Sequence, residues 1–492
     1  MLFNSISYIL FLFVFVSLYW SVPVRWRIPV VVVGSSLFYC LWSVAFFLLL
    51  LSTEIVIFAC SRCIAASEGR SRKAWLVVSL GVNLGLLCFF KYFYFGYDGL
   101  RELLGLLGLS LPDSAFWPFR IILPLGISFH TFHSISYTVD IYRRVQKPLK
   151  SFLAFFAFII FWPQLVAGPI LRCGEVVPQL LHPREFEGRG FAYGVSRIVQ
   201  GLFKKIVLAD SLAPLVEYWF DKPHAQLTAL DDWVAAFLFG FQIYFDFSGY
   251  SDIALGSAKL LGITFPENFN WPYHAVSPKD FWRRWHISLS PWIRDYLYLP
   301  LTGQHFQKRS EGGMAVAAGD ASRPGRTRAL LLAWALMGLW HGAAWTFVLW
   351  GVFHGFMVLL YRLVPPLASL PERHPWPARA LMLAIAMFGW IPFRAHSLEQ
   401  AFHMWGLALN PLAYRLSPDV LGLTSLTVAY SYLFAATFAG VLPLVYVIER
   451  YRDAVNAIPM AHFAARALAM AVMTFCVILF FQASQQFIYF QF

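Results

Sequence analysis

Residues 329–364 read ALLLAWALMGLWHGAAWTFVLWGVFHGFMVLLYRLV, an apolar run broken only by Arg362 and two histidines, His341 and His354. About 20 apolar residues suffice to cross a hydrocarbon core of ~30 Å, so this run places its chain in a membrane. It also leaves an imidazole in the middle of the bilayer. Ionisable groups at that depth face protein or a wet cavity and mark functional sites by default. Neutral imidazole accepts a proton at physiological pH, and Gly338 and Gly342 clear space around His341. If the run is one helix, Trp345 lies a turn beyond His341 on the same face, and His354 is a rival on the same element. A lone buried histidine can equally be a hydrogen-bonded packing group. The run therefore fixes the compartment before it fixes the chemistry.

Outward from it the pattern repeats. Hydrophobic residues make up 59% of the 492 residues and charged residues 13%, against roughly 25% charged in a soluble domain. Apolar runs fall near 5–22, 28–42, 44–62, 74–95, 119–142, 151–170, 192–219, 232–263, 329–363, 376–393, 425–449 and 463–482. Some are long enough to be a pair of helices or a tilted one, so about eleven crossings, give or take two, are expected. The fold class is an all-α polytopic membrane protein, with residues 1–492 forming a single membrane-embedded domain. The first run is read as a retained span, because no Lys or Arg precedes it and no small-x-small cleavage site follows.

The net charge of +12 is topological. Basic residues cluster in short loops, at Arg25/Arg27, Arg70/Arg72/Lys73 and Arg143/Arg144/Lys147/Lys150, as the positive-inside rule requires of cytoplasmic loops. With the N-terminus outside, these three loops fall in the cytoplasm and 96–118 falls outside. No basic patch carries the exposed aromatics of a nucleic-acid site. Cys60-Ser-Arg-Cys63 has metal-like spacing, but a structural zinc needs a second pair, and none follows; no metal is expected.

Two segments break the hydropathy pattern. Pro266 to Pro300 is too polar for a lipid-facing helix and too aromatic for a solvated loop. Ser277-Pro278-Lys279-Asp280 opens it as a helix start, with Ser as N-cap and the acid reaching back to the cap. The segment is expected to be a re-entrant or interfacial helix, on which Arg283 and His286 share a face. Arg283 and Arg284 beside His286 suit an anionic ligand such as phosphate; headgroup anchoring by Trp and Arg is the plainer alternative. The second segment, 304–328, is Gly-, Ser- and Arg-rich and reads as a mobile hydrophilic loop.

Asp246 and Asp252, in FDFSGYSD (245–252), sit inside another apolar run. An Asp at a helix centre costs ~2.5–3.5 kcal/mol on the insertion scale unless paired. The arginines of 281–294 are the expected partners. His130 and His133 lie three apart without a third ligand and read as packing.

Together these stretches resemble the membrane-bound O-acyltransferases, and within them the branch that O-acetylates bacterial alginate. The matching segments are LPLGISFHTFHSISYTVDIYR (123–143), FWPQLVAGPILR (161–172), IYFDFSGYSDIALGSAKLLGITFPENFNWPY (243–273), FWRRWHISLSPWIRDYLYLPL (281–301), GLWHGAAWTFVLWGVFHG (338–355), WIPFRAHSLEQA (390–401) and FIYFQF (487–492). The resemblance implies helices around a funnel and a cavity joined by a narrow waist. It implies His341 as the invariant intramembrane histidine and His286 as the second. Asn268, Trp285, Ser290, Arg294, Asp295, Asp246, Ser248, Tyr250, Asp252, Trp340 and Trp345 would then line the passage with Arg283 and Arg284. It further implies acetyl-CoA as cytoplasmic donor, an exopolysaccharide such as alginate or cellulose as the final acceptor, and a periplasmic acetyltransferase or acyl carrier as partner. The setting would be a bacterial inner membrane, with the N-terminus in the periplasm.

A thioester is already activated, so the protein need only position a hydroxyl, accept its proton and exclude water. His341 as general base would contribute a typical 10²–10⁴-fold, with His286 orienting it or stabilising the oxyanion; an acyl-histidine intermediate is the alternative. A transporter or flippase would show two related halves with interrupted helices, whereas these motifs are single-copy. A scaffold has no use for buried histidines.

Overall fold

The computed structural model describes residues 3–113, 120–165, 168–223, 226–304, 306–309, 313–316, 325–416, 425–450 and 459–481. The terminal stretch 487–492 and much of 304–328 lie outside them. Among the described residues the architecture is helices joined by loops, with one short antiparallel pair, Phe306–Arg309 with Gly313–Val316, inside the hydrophilic segment. Helix starts follow local chemistry: the side chains of Ser5, Ser43, Ser151, Thr228, Ser277 and Ser397 each accept the backbone N–H three residues on. That satisfies one of the orphan donors every helix start carries.

Five described helices are long and apolar enough to cross a membrane: Val44–Ala66, Gly69–Leu106, Trp345–Leu363, Pro375–Arg394 and Leu426–Leu444. Their outward faces carry exposed side chains such as Leu48, Val77 and Phe356, which suit lipid and not water. The centre is the 32-residue helix Ala229–Leu260, buried along nearly its whole length. Helices Gly188–Leu202, Asp210–Asp221, Pro375–Arg394, Leu398–Leu409 and Leu426–Arg450 pack around it. Gly188–Leu202 approaches it through reciprocal glycines: a Cβ at Gly201 would meet the Gly249 carbonyl and one at Gly249 the Gly201 carbonyl, and Gly194 and Gly256 repeat this seven residues away. Small residues allow such backbone contact between membrane helices.

Several apolar runs are subdivided, the longest into the pair that its length allowed. The 151–170 run is a helix only over Phe152–Ile160, then turns at Phe161 into Trp162–Leu165. Phe155 to Trp162 are all buried, so this run is apolar because it lies in the core. The 192–219 run is interrupted by a π turn, Phe203–Ala209. The 329–363 run is two helices, Arg326–His341 and Trp345–Leu363.

The 266–300 segment packs inside the bundle but is not one helix. It consists of short pieces, Pro272–His274, Pro278–Phe281, Leu289–Ile293 and a π turn Arg294–Tyr298. Left-handed residues Trp271 and His286 break it, as do prolines at 272, 278 and 291. Asp280 accepts the Val276 N–H at 3.2 Å, one residue before the cap itself.

Candidate functional site

His341 is the last residue of its helix. Gly342 follows in extended conformation, φ −155 and ψ 146, and the next helix starts at Trp345. The tight return depends on glycine: a Cβ at Gly338 would strike the Phe347 carbonyl, and one at Gly342 the Phe347 ring. The imidazole is buried among Trp340, Trp350 and Phe393, with ring centroids at 4.8, 5.0 and 5.5 Å. Because the helix breaks here, Trp345 does not share a face with His341. It turns outward, 59% exposed, against Phe95.

His286 is fully buried and takes a left-handed backbone, φ 44. Asn268 holds the turn. Its carbonyl accepts the Ile287 N–H at 2.9 Å, and its Oδ1 accepts the Ser288 N–H at 3.2 Å and hydroxyl at 2.9 Å. Its amide donates to Ser251 of the central helix at 3.3 Å. Neither ring nitrogen of His286 has a hydrogen-bond partner among the described residues. The ring lies 4.7 Å from Phe247 and 6.4 Å from Trp340. Trp340 thus adjoins both imidazoles, and is itself stacked on Phe132, which stacks on Trp292. Arg283 does not share a helix face with His286, since no helix runs through 282–288.

A cavity of about 710 Å³ reaches this turn. Ile287, Ser288 and Pro291 line it beside Asp140, Gln146, Lys147, Ile170, Arg172, Glu175 and Glu267. Its wall is braced by Tyr296, which donates to both Asp140 oxygens at 2.9 Å, and by an Arg172–Asp295 ion pair. Arg294 also pairs with Asp295, at 2.6 Å. Arg283 is exposed and Arg284 is tied to Asp280 at 3.0 Å; neither lines the cavity, whose basic residues are Lys147 and Arg172.

Asp246 and Asp252 find partners other than the 281–294 arginines. Lys205 meets Asp246 at 2.7 Å, while Arg197 and Lys204 meet Asp252 at 2.5 and 2.7 Å. Position in space decides this: the Gly194/Gly201 crossing presses the basic residues of 197–205 against the central helix. Ser248 is buried, its hydroxyl without a described hydrogen-bond partner, and the Tyr250 hydroxyl donates to Asn4 at 3.3 Å. Trp285 packs on Trp390 at 4.7 Å, and the Ser290 hydroxyl donates to the Trp282 carbonyl at 3.0 Å; both brace the segment. His354 lies on the second helix of the pair, boxed by Phe281, Trp282 and Trp350. His133 accepts the Leu171 N–H at 3.3 Å, and His130 faces buried Glu54 at 3.7 Å.

Sequence reasoning passed over Lys91. Its ammonium donates to the carbonyls of Trp340 and His341 at 2.5 and 3.1 Å. The signal available was a single cation in an otherwise apolar run, the pattern that drew attention to His341.

Residues 142–393, which contain both histidines, match the membrane-bound O-acyltransferase family. The chain belongs to that family. It is similar to the probable alginate O-acetylase AlgI of Pseudomonas aeruginosa, 37% identical over 443 residues covering 88% of this chain and 80% of the relative. It is also similar to the peptidoglycan O-acetyltransferase of Helicobacter pylori, 32% identical over 402 residues covering 75% and 71%. The teichoic acid D-alanyltransferase of Bacillus subtilis is 30% identical over 262 residues, 51% of this chain and 62% of the relative. As a membrane-bound O-acyltransferase, the protein is a multi-pass integral membrane enzyme that transfers acyl groups.

Proposed function

We propose that this acyltransferase carries an acetyl group from acetyl-CoA on the cytoplasmic side towards hydroxyls of an exopolysaccharide, alginate being the polymer named in the AlgI relatives. The observation that carries the reading is the pair of buried imidazoles beside Trp340, with a cavity bordered by Lys147 and Arg172 that ends one residue from His286. The cavity is large enough to admit the slender pantetheine arm, with Lys147 and Arg172 facing the coenzyme's phosphates at the mouth. Leaving the nucleotide outside avoids moving several phosphate charges into a low-dielectric interior.

His341 accepts the proton of the acceptor hydroxyl as its oxygen attacks the thioester carbonyl. His286 donates a hydrogen bond to the oxyanion that forms. The carbon–sulfur bond then breaks, and the imidazolium of His341 returns the proton to the departing thiolate. Burial among aromatic rings keeps water from competing for the thioester. A soluble extracytoplasmic transferase or acyl carrier receives the acetyl group on the far side and passes it to polymer.

The test is His341→Ala in cells deleted for the native gene, read as ester content of the secreted polymer. Loss of esters with normal membrane levels of protein is expected. The lost general base corresponds to ~10²–10⁴-fold in rate. Near-normal acetylation in a well-expressed variant would overturn the mechanism.

A further inference from the structure

We propose that Lys91 and Tyr92 are positioning residues for His341, capping from a neighbouring helix the broken helix end that carries the reactive imidazole. The inference rests on the acid–base reading of His341, but its structural half can be measured separately.

A helix that stops leaves its last four carbonyls without intrahelical partners, and in hydrocarbon no water is present to satisfy them. The helix Arg326–His341 stops this way, and every one of the four is accounted for. The Gly338 carbonyl accepts the Gly342 N–H at 3.4 Å. The Leu339 carbonyl accepts the Tyr92 hydroxyl at 3.1 Å. The Trp340 and His341 carbonyls share the Lys91 ammonium. A cation is also the favoured charge at the negative end of the helix dipole, and the ammonium lies 6.0 Å from the Trp340 ring centroid.

Lys91 and Tyr92 are adjacent in sequence, and in an α-helix adjacent side chains diverge widely. Here they close a π turn, Cys88–Tyr92, within the long Gly69–Leu106 span. The wider turn reduces the rotation between neighbours, so both reach one helix end. Single π turns of this kind are frequent at functional sites. The result ties the backbone of both Trp340 and His341 to a second helix, across the break that the reactive geometry requires.

The experiment uses the full-length protein in membranes. Thiol release from acetyl-CoA reports turnover, and hydrogen–deuterium exchange over 339–345 reports the helix end. Lys91→Met keeps an unbranched chain one atom shorter and removes the donors; turnover should fall about 10²-fold, the loss expected for an ~1 Å misplacement, with the KM for acetyl-CoA little changed. Exchange at 342–345 should rise. Lys91→Arg, which restores a cationic donor, should recover most of the turnover. Tyr92→Phe removes one hydroxyl and should give a smaller loss in the same direction, so the proposal stays testable if Lys91→Met fails to insert. Wild-type turnover or unchanged exchange in Lys91→Met would overturn it, as would Lys91→Arg no better than Met. An active His341→Ala would sink the chemical reading alone and leave the exchange result standing.

Discussion

His286 holds a left-handed backbone, φ 44, that costs a non-glycine residue about 1–3 kcal/mol, and Asn268 is what keeps it there. Asn268 accepts three hydrogen bonds from the two residues after the histidine. Asn268→Ala removes the two that its side chain accepts from Ser288, together with its bond to Ser251, and leaves buried groups unpaired, worth about 1–3 kcal/mol. Turnover should drop with it, because the turn is free to relax and carry the imidazole away. Asn268→Asp keeps the acceptor for Ser288 and should retain clearly more activity than Ala. Equal loss in the two variants would show that Asn268 acts on something other than this turn. At this scale His341 stood out in the sequence because an ionisable group inside an apolar run has so few plain explanations, and the structure places both it and His286 beside Trp340. Asn268 was legible as part of a motif and illegible as a clamp, since its partners lie 17 to 20 residues away in sequence. The partners of Asp246 and Asp252 were misassigned for the same reason. Charge complementarity says that a buried carboxylate needs a cation, but only the glycine crossing says which cation arrives.

The two-helix element that carries His341 was legible as apolar length and hidden as a break. Hydropathy is continuous through Gly342-Ala-Ala344, so a single helix and a hairpin read alike. What separates them is packing. A Cβ at Gly351 would strike the Trp334 carbonyl, and one at Gly338 the Phe347 carbonyl, so the two helices touch backbone to backbone. Gly351→Ala should therefore destabilise the protein by about 1–3 kcal/mol, the usual cost of overpacking, and lower its melting temperature in detergent. Gly85→Ala is the matched control: nothing lies within 4 Å of a Cβ there, and helix propensity makes it neutral or stabilising by about 0.4–1 kcal/mol. Equal melting temperatures for the two variants would refute the close crossing. The same logic explains the 151–170 run. Its apolar composition signalled a membrane span, yet Pro163 and the burial of Phe155 to Trp162 make it core.

Across the whole molecule, the question is which side the cavity opens to, and contacts between loops answer half of it. Arg72 donates to the carbonyls of Ile141 and Tyr142 at 2.8 and 2.9 Å, and Arg144 pairs with Glu68 at 3.5 Å. The two basic loops at 63–73 and 143–150 therefore share a side, and Gln146 and Lys147 put the cavity there as well. The Gly69–Leu106 span has 38 residues, which at 1.5 Å each reach about 57 Å, well beyond the ~30 Å core. Its far end, where Arg101 pairs with Asp113 at 2.6 Å, is therefore expected to lie across the membrane from Arg72. The positive-inside rule predicts that this shared side is the cytoplasm, because clustered Lys and Arg favour that face. In a background lacking the native cysteines, Lys147→Cys should react with a membrane-impermeant thiol reagent only after permeabilisation. Asp113→Cys should react in intact spheroplasts. Reversed labelling would place the cavity outside and remove the route for a cytoplasmic thioester. Labelling of both from one side would be incompatible with a span that separates them. Added acetyl-CoA should slow modification of Lys147→Cys and leave Asp113→Cys unaffected, since only the former borders the cavity proposed to receive the coenzyme.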